Sequence, residues 1–148
     1  MNNDLIVFMP SIEGGGVEKN LFLVCNHLVR HVSSLKVVTI SKKYSNRFDK
    51  SIKIVTFKSK KWDNLGRRIK YFLALLLLIK EIFKNKKSIV FSFQANIYCI
   101  LLCKLLLVKV IARSNTAPIG WSRNIFKRII FKLVLKLSDK IMVNSLEF

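Results

Sequence analysis

The stretch LIVFMPSIEGGGVEKNLFLVCNHL, Leu5 to Leu28, decides the fold. Leu5–Met9 is a short β-rich run with no polar residue, the mark of a strand buried on both faces. Three of the chain's five glycines follow at Gly14, Gly15 and Gly16. Between Val17 and Arg30 the apolar residues Val17, Leu21, Val24, Cys25 and Leu28 fall at helical spacing. A strand, a glycine loop and a helix open a βα unit. The loop then lies beyond the carboxyl end of a strand, where open α/β sheets bind ligands. Glycine there lets a ligand come against the backbone. The free N–H groups and positive dipole end of the helix favour phosphate.

Outward from this unit the same alternation continues. Leu35–Ile40, Ile52–Phe57, Ser88–Phe93, Val108–Arg113 and Ile141–Asn144 read as strands. Arg67–Phe83, Asn96–Leu107 and Trp121–Leu137 read as helices, and Lys42–Ser51 and Ser59–Asn64 as polar loops. Strands alternating with helices predict right-handed βαβ crossovers. The expected fold is α/β: one Rossmann-like domain over residues 1–148, three layers α/β/α, with a mostly parallel sheet. No repeat, low-complexity tail or Pro/Gly-rich linker interrupts it.

The 148 residues suffice for one full-sized core, and 51% are apolar. Charge is lopsided, with 27 Lys plus Arg against 8 Asp plus Glu and a formal net charge of +19. An AT-rich coding sequence accounts for part of the lysine excess. It does not account for the absence of any acid from Ile82 to Ser138. Such a field attracts polyanions, an anionic membrane surface or phosphorylated small molecules. The phenylalanines fall mainly in apolar patterns and no nucleic-acid-binding signature occurs, which argues against nucleic acid as the partner.

Cys25, Cys99 and Cys103 sit in apolar helical patterns without CxxC spacing, so they read as core residues rather than zinc ligands. His27 and His31 lie four apart but lack a third ligand, and read as surface histidines. The odd cysteine count and the absence of a leader predict a cytoplasmic location. The apolar runs Tyr71–Ile79 and Ile97–Ala112 are too short or too interrupted by lysine to span a bilayer, which needs about 20 apolar residues.

The glycine loop admits several readings. A dinucleotide fingerprint needs G-x-G-x-x-G and an acid at the end of the second strand. Here Lys19 stands at the third glycine and the strand ends Thr39-Ile40-Ser41-Lys42. The P-loop pattern is absent. A plain turn remains open on the residues alone.

Gly15-Gly16-Val17-Glu18 at a helix start resembles the GG-x-E opening of the N-terminal domain of GT-B glycosyltransferases of retaining family 4. FSFQAN (Phe91–Asn96) resembles that family's segment at the inter-domain cleft. VIARSNTAP (Val110–Pro118) resembles its fifth strand and following loop, and IMVNSLEF (Ile141–Phe148) its crossover into the second domain. The resemblance implies transfer of a sugar from a UDP- or GDP-linked donor to a glycan or lipid-linked acceptor, as in cell-envelope polysaccharide synthesis, with no metal and no cofactor beyond the nucleotide-sugar co-substrate. By position Gly15 and Gly16 would approach donor and acceptor, and Glu18 would orient the loop. Arg113 would face a phosphate and Asn115 a hydroxyl, the alternative for Arg113 being a solvated strand-end cation. Gln94 and Asn96 stand where many members carry His or Asp, and a glutamine cannot act as a general base. No catalytic residue is assigned.

Family 4 enzymes carry most of the donor site, with a Glu-x7-Glu signature, in a second domain. The chain is therefore expected to be an acceptor-side half, inactive without a C-terminal donor domain or partner subunit. The alternative is a non-catalytic membrane-surface or scaffold module with the same fold.

In the last helix Ile125, Phe126, Ile129, Ile130, Leu133, Val134 and Leu137 form one stripe, expected to pack on the sheet. The opposite arc carries Arg128, Phe131, Lys132, Leu135 and Lys136, cations interleaved with apolar residues. That arc suits an anionic membrane surface, on the inner face of the cytoplasmic membrane, unless another helix covers Phe131 and Leu135.

Overall fold

The structure, a computed structural model, describes residues 4–57, 62, 65–94, 96–114 and 124–143. Its elements run β1 (Asp4–Phe8), α1 (Gly16–Leu28), β2 (Ser34–Val38), β3 (Lys53–Val55), α2 (Arg67–Lys84), β4 (Ile89–Ser92), α3 (Asn96–Leu105), β5 (Val110–Ser114), α4 (Ile125–Lys136) and β6 (Lys140–Val143). The strands form a single six-stranded sheet in the order β3-β2-β1-β4-β5-β6. All neighbours pair in parallel, with Phe8 opposite both Val38 and Ser92, and Ala112 opposite both Ser92 and Ile141. The Rossmann-like α/β/α arrangement expected from the sequence is the one observed.

The central strands β1 and β4 are short apolar runs because the sheet is covered there on both faces, whereas the edge strand β6 is exposed along its length. Right-handed crossovers place helices by the direction in which the chain steps across the sheet. β1 to β2 steps one way and puts α1 on one face, where Leu21, Phe22 and Cys25 pack on Val7, Met9, Val37 and Phe91. β3 to β4, β4 to β5 and β5 to β6 step the other way. Their helices α2, α3 and α4 share the second core, in which Leu78, Ile100 and Leu135 join Phe8, Val90 and Val110.

The orientation of α4 overturns the expectation for its stripe. Val134 and Leu135 are the residues of this helix that are buried, and Arg128 and Phe131 are half-buried. Ile125, Phe126, Ile129, Ile130, Leu133 and Leu137 are instead exposed, Phe126 at 73%. The helix docks through Val134 of the expected stripe together with Leu135 of the arc expected to face outward, and α3 contributes Ile100 and Cys103 to the same core. Leu135 is therefore unavailable to a membrane, whereas Lys132 and Lys136 are exposed as expected. Asn124 caps the helix, its side chain accepting from Phe126 N (2.9 Å) and Lys127 N (3.4 Å), a start signal not used in placing the helix from Trp121. Residues 121–123 lie outside the described residues.

Two charged contacts fasten the helical layer. Glu81, 3% exposed, accepts from Lys36 of β2 at 3.0 Å and from Lys84. Burial pushes its carboxyl pKa up, but the two ammonium groups outweigh burial and hold it below the ordinary value. Asp139, between α4 and β6, accepts from Lys104 Nζ (2.9 Å) and from Val110 N (2.7 Å), which pull its carboxyl pKa down.

Candidate functional site

Parallel pairing brings the carboxyl ends of β1, β4 and β5 to one edge of the sheet. Phe93 N donates to Phe8 O at 3.0 Å, so the ends of β1 and β4 run side by side into their loops. The loop after β1 is tied to the loop after β2 as well. Ile40 N donates to Pro10 O (3.0 Å) and Ile12 N to Ser41 Oγ (3.2 Å).

Within the glycine loop the three positions differ. Gly14 has φ +94°, a left-handed conformation, and a Cβ there would lie 2.7 Å from Tyr44 Oη. It is the glycine that the backbone requires, and the sequence reading missed it in favour of its neighbours. Gly15 is the N-cap of α1 and has extended backbone with no side-chain cap. A Cβ on Gly15 would meet Glu18 Oε2 at 3.0 Å, whereas around Gly16 nothing lies within 4 Å. Glu18 is buried, and its Oε1 accepts from Glu13 N at 3.4 Å, which holds the loop against the first helical turn. Glu13 is exposed and accepts from Ser11 Oγ at 3.0 Å.

Just beyond β4 stand Gln94 and Asn96, and Asn96 reaches Arg113 of β5. Asn96 Nδ2 donates to Arg113 O at 2.5 Å, and Ser92 Oγ donates to Gln94 O at 3.1 Å. Arg113 is 3% exposed, its guanidinium 4.8 Å from the centre of the Phe93 ring. It is thus not the solvated strand-end cation of the alternative reading; burial pulls its pKa below the ordinary value. The side-chain oxygens of Gln94 and Asn96 are buried without a hydrogen-bond partner among the described residues. Orphaned buried acceptors are costly unless a ligand donor meets them. Asn115 and the segment to Pro118 lie outside the described residues, as do Asn144–Phe148.

Other sequence features fall elsewhere. His27 and His31 are exposed, with ring centres 4.8 Å apart, and among the described residues no group of three His, Cys, Asp or Glu could hold a metal ion. Cys25, Cys99 and Cys103 are buried, and burial pushes the Cys25 thiol up to about 12. Among the described residues no helix is long and apolar enough to cross a membrane. An open apolar trough of about 610 Å³ lies between α1 and the uncovered part of the sheet, lined by Leu23, Leu28, Ile89, Phe91, Ile111 and Met142. It reaches residues at strand starts, such as Ile89, and lacks the convergent polar groups of the loop edge.

The edge was legible in part. Tyr44, within the loop Lys42–Ser51, and Ser41, at the strand end, belong to it and are not among the site residues expected from the sequence. Their signal was available: a polar segment directly after β2 must emerge at the same edge as the glycine loop.

No protein family matches the chain, and no curated protein sequence matches it. Among solved structures the chain is similar to a UGT transferase from Siraitia grosvenorii in complex with UDP. The TM-score is 0.50 at 12% identity, over 78% of this chain and 29% of that one. What the two share is the fold. The chain shares the Rossmann-like fold of part of that structure and spans less than a third of its length.

Proposed function

We propose that the chain is the acceptor-side half of a GT-B glycosyltransferase of the family 4 type. In this reading it moves a sugar from a UDP- or GDP-linked donor to a glycan or lipid-linked acceptor once a second Rossmann-like domain closes over the loop edge. Closure excludes water and completes the reacting centre. The observation that carries the reading is that the buried side-chain oxygens of Gln94 and Asn96 are unpartnered among the described residues, with Asn96 bonded to the backbone of buried Arg113. Acceptors of this kind are matched by sugar hydroxyls. Glu13 and Glu18 put carboxylates at the glycine loop, which suits hydroxyl groups better than phosphate and favours acceptor over donor on this side. Gly16 leaves open space for a ring to approach.

The test is sugar transfer from radiolabelled UDP- and GDP-sugars to membrane extract, with the chain alone and with a donor domain supplied. The reading expects no transfer by the chain alone and transfer when the second domain is present. Transfer by the pure chain overturns its incompleteness. A chain that gains no activity from any donor domain overturns the transferase reading and leaves a non-catalytic module at a membrane surface, which the exposed stripe of α4 favours.

A further inference from the structure

Helix α4 carries Ile125, Phe126, Ile129, Ile130, Leu133 and Leu137 on its solvent side, each between 49% and 73% exposed. A contiguous apolar surface of this kind on a soluble fold marks a place where something docks. Its border is cationic: Lys127, Lys132 and Lys136 are exposed along the same helix. Neighbouring helices of the same layer add exposed Phe72, Phe83 and Leu105. Acids on this side of the sheet are spoken for among the described residues. Glu81 is buried between Lys36 and Lys84, and Asp139 is paired with Lys104.

We propose that the outer side of α4 is a docking surface for an anionic lipid bilayer, with the helix lying in the plane of the membrane. Its 12 residues extend only about 18 Å, too short to span, but suited to burial by roughly 5–10 Å at the headgroup boundary. The six apolar side chains enter the acyl region and the bordering lysines meet lipid phosphates. Charge decides between occupants. A second copy would set one lysine border against another, and a nucleic acid would leave isoleucine and leucine in water. Of the arc Arg128, Phe131, Lys132, Leu135 and Lys136 expected from the sequence, the inference keeps Lys132 and Lys136 and replaces the other three with the exposed apolar stripe. It deepens the membrane-surface part of the proposed function, but lipid binding can fail while sugar transfer succeeds, and the reverse.

The test is co-sedimentation of the full chain with vesicles of phosphatidylcholine alone and of phosphatidylcholine and phosphatidylglycerol in equal parts. The chain is expected to bind the mixed vesicles and to be released by high salt. Lys132→Gln with Lys136→Gln should weaken that binding by about 30-fold, as two lysines near an anionic surface imply. Ile129→Asp with Leu133→Asp should weaken it by at least about tenfold. Both pairs are exposed, and far-ultraviolet circular dichroism checks that they fold. Should a variant misfold, Ile129→Cys carrying an environment-sensitive fluorophore gives the second readout: a blue shift on mixed vesicles and quenching by brominated acyl chains. Equal binding to neutral vesicles, no binding at all, an unquenched probe, or unchanged binding by both double variants overturns the proposal. A dimer in solution that Ile129→Asp with Leu133→Asp dissociates, without vesicle binding, assigns the surface to a second copy instead.

Discussion

Helices α1 and α4 are both amphipathic, and they face opposite ways. α1 turns its apolar side inward, burying Leu21, Phe22 and Cys25. α4 turns most of its apolar side outward and holds on through Val134 and Leu135, with Phe131 half-buried. Helical period says which residues share a side; it does not say which side meets the core. For α1 the two coincide because its apolar side lies over the middle of the sheet, on β1, β2 and β4. α4 connects β5 to the edge strand β6 and shares its core with α3, so a narrow side suffices to dock it. The surplus apolar surface stays exposed.

The largest expected effect tests this contrast directly. Leu21→Ala should lower unfolding stability by about 2–5 kcal/mol, because it opens a cavity in a fully buried site. Ile130→Ala, on the exposed side of α4, should change stability by no more than about 0.5 kcal/mol. Urea unfolding measures both, and equal losses would break the comparison.

Glu81 sharpens it from the other side, since this acid of the helical layer is buried and ion-paired rather than facing out. Glu81→Gln leaves Lys36 without its carboxylate and should cost about 3 kcal/mol at neutral pH. The folded carboxyl pKa lies below its ordinary value, so its stabilisation is complete above the unfolded pKa and is lost as pH falls through the folded one. Unfolding midpoints measured down the acid range should therefore depend less on pH in Glu81→Gln than in the parent.

A smaller effect concerns how α1 begins. Gly14→Ala forces a side chain into a left-handed conformation and against Tyr44, and should cost about 1–3 kcal/mol. Gly16→Ala meets no neighbour within 4 Å and should be far milder. Thermal unfolding of the two variants ranks them, and the reverse ranking would show the loop to be built differently.

How much of this was legible follows from the range of the interactions. The strands announced themselves as short apolar runs, and β1, the glycine loop and α1 as a local unit, so the fold class could be read from neighbours in sequence. Gly14 could not be singled out, because its constraint comes from Tyr44, distant in sequence and brought in by the loop after β2. Arg113 was legible as a strand-end cation but not as a buried one. Its burial over Phe93 depends on the pairing of β4 with β5. The facing of α4 depends on α3 and β5, again beyond any local pattern.

That facing is the account's central claim, and thiol labelling tests it most directly. The native cysteines are buried, and burial raises the thiol pKa of Cys25 and of Cys99, so an introduced cysteine supplies the reactive thiol in the folded chain. Ile129→Cys should label nearly as fast in the native protein as in denaturant, and Leu135→Cys at least about 100-fold more slowly. Protection of Ile129→Cys together with rapid labelling of Leu135→Cys would turn α4 around and contradict the account.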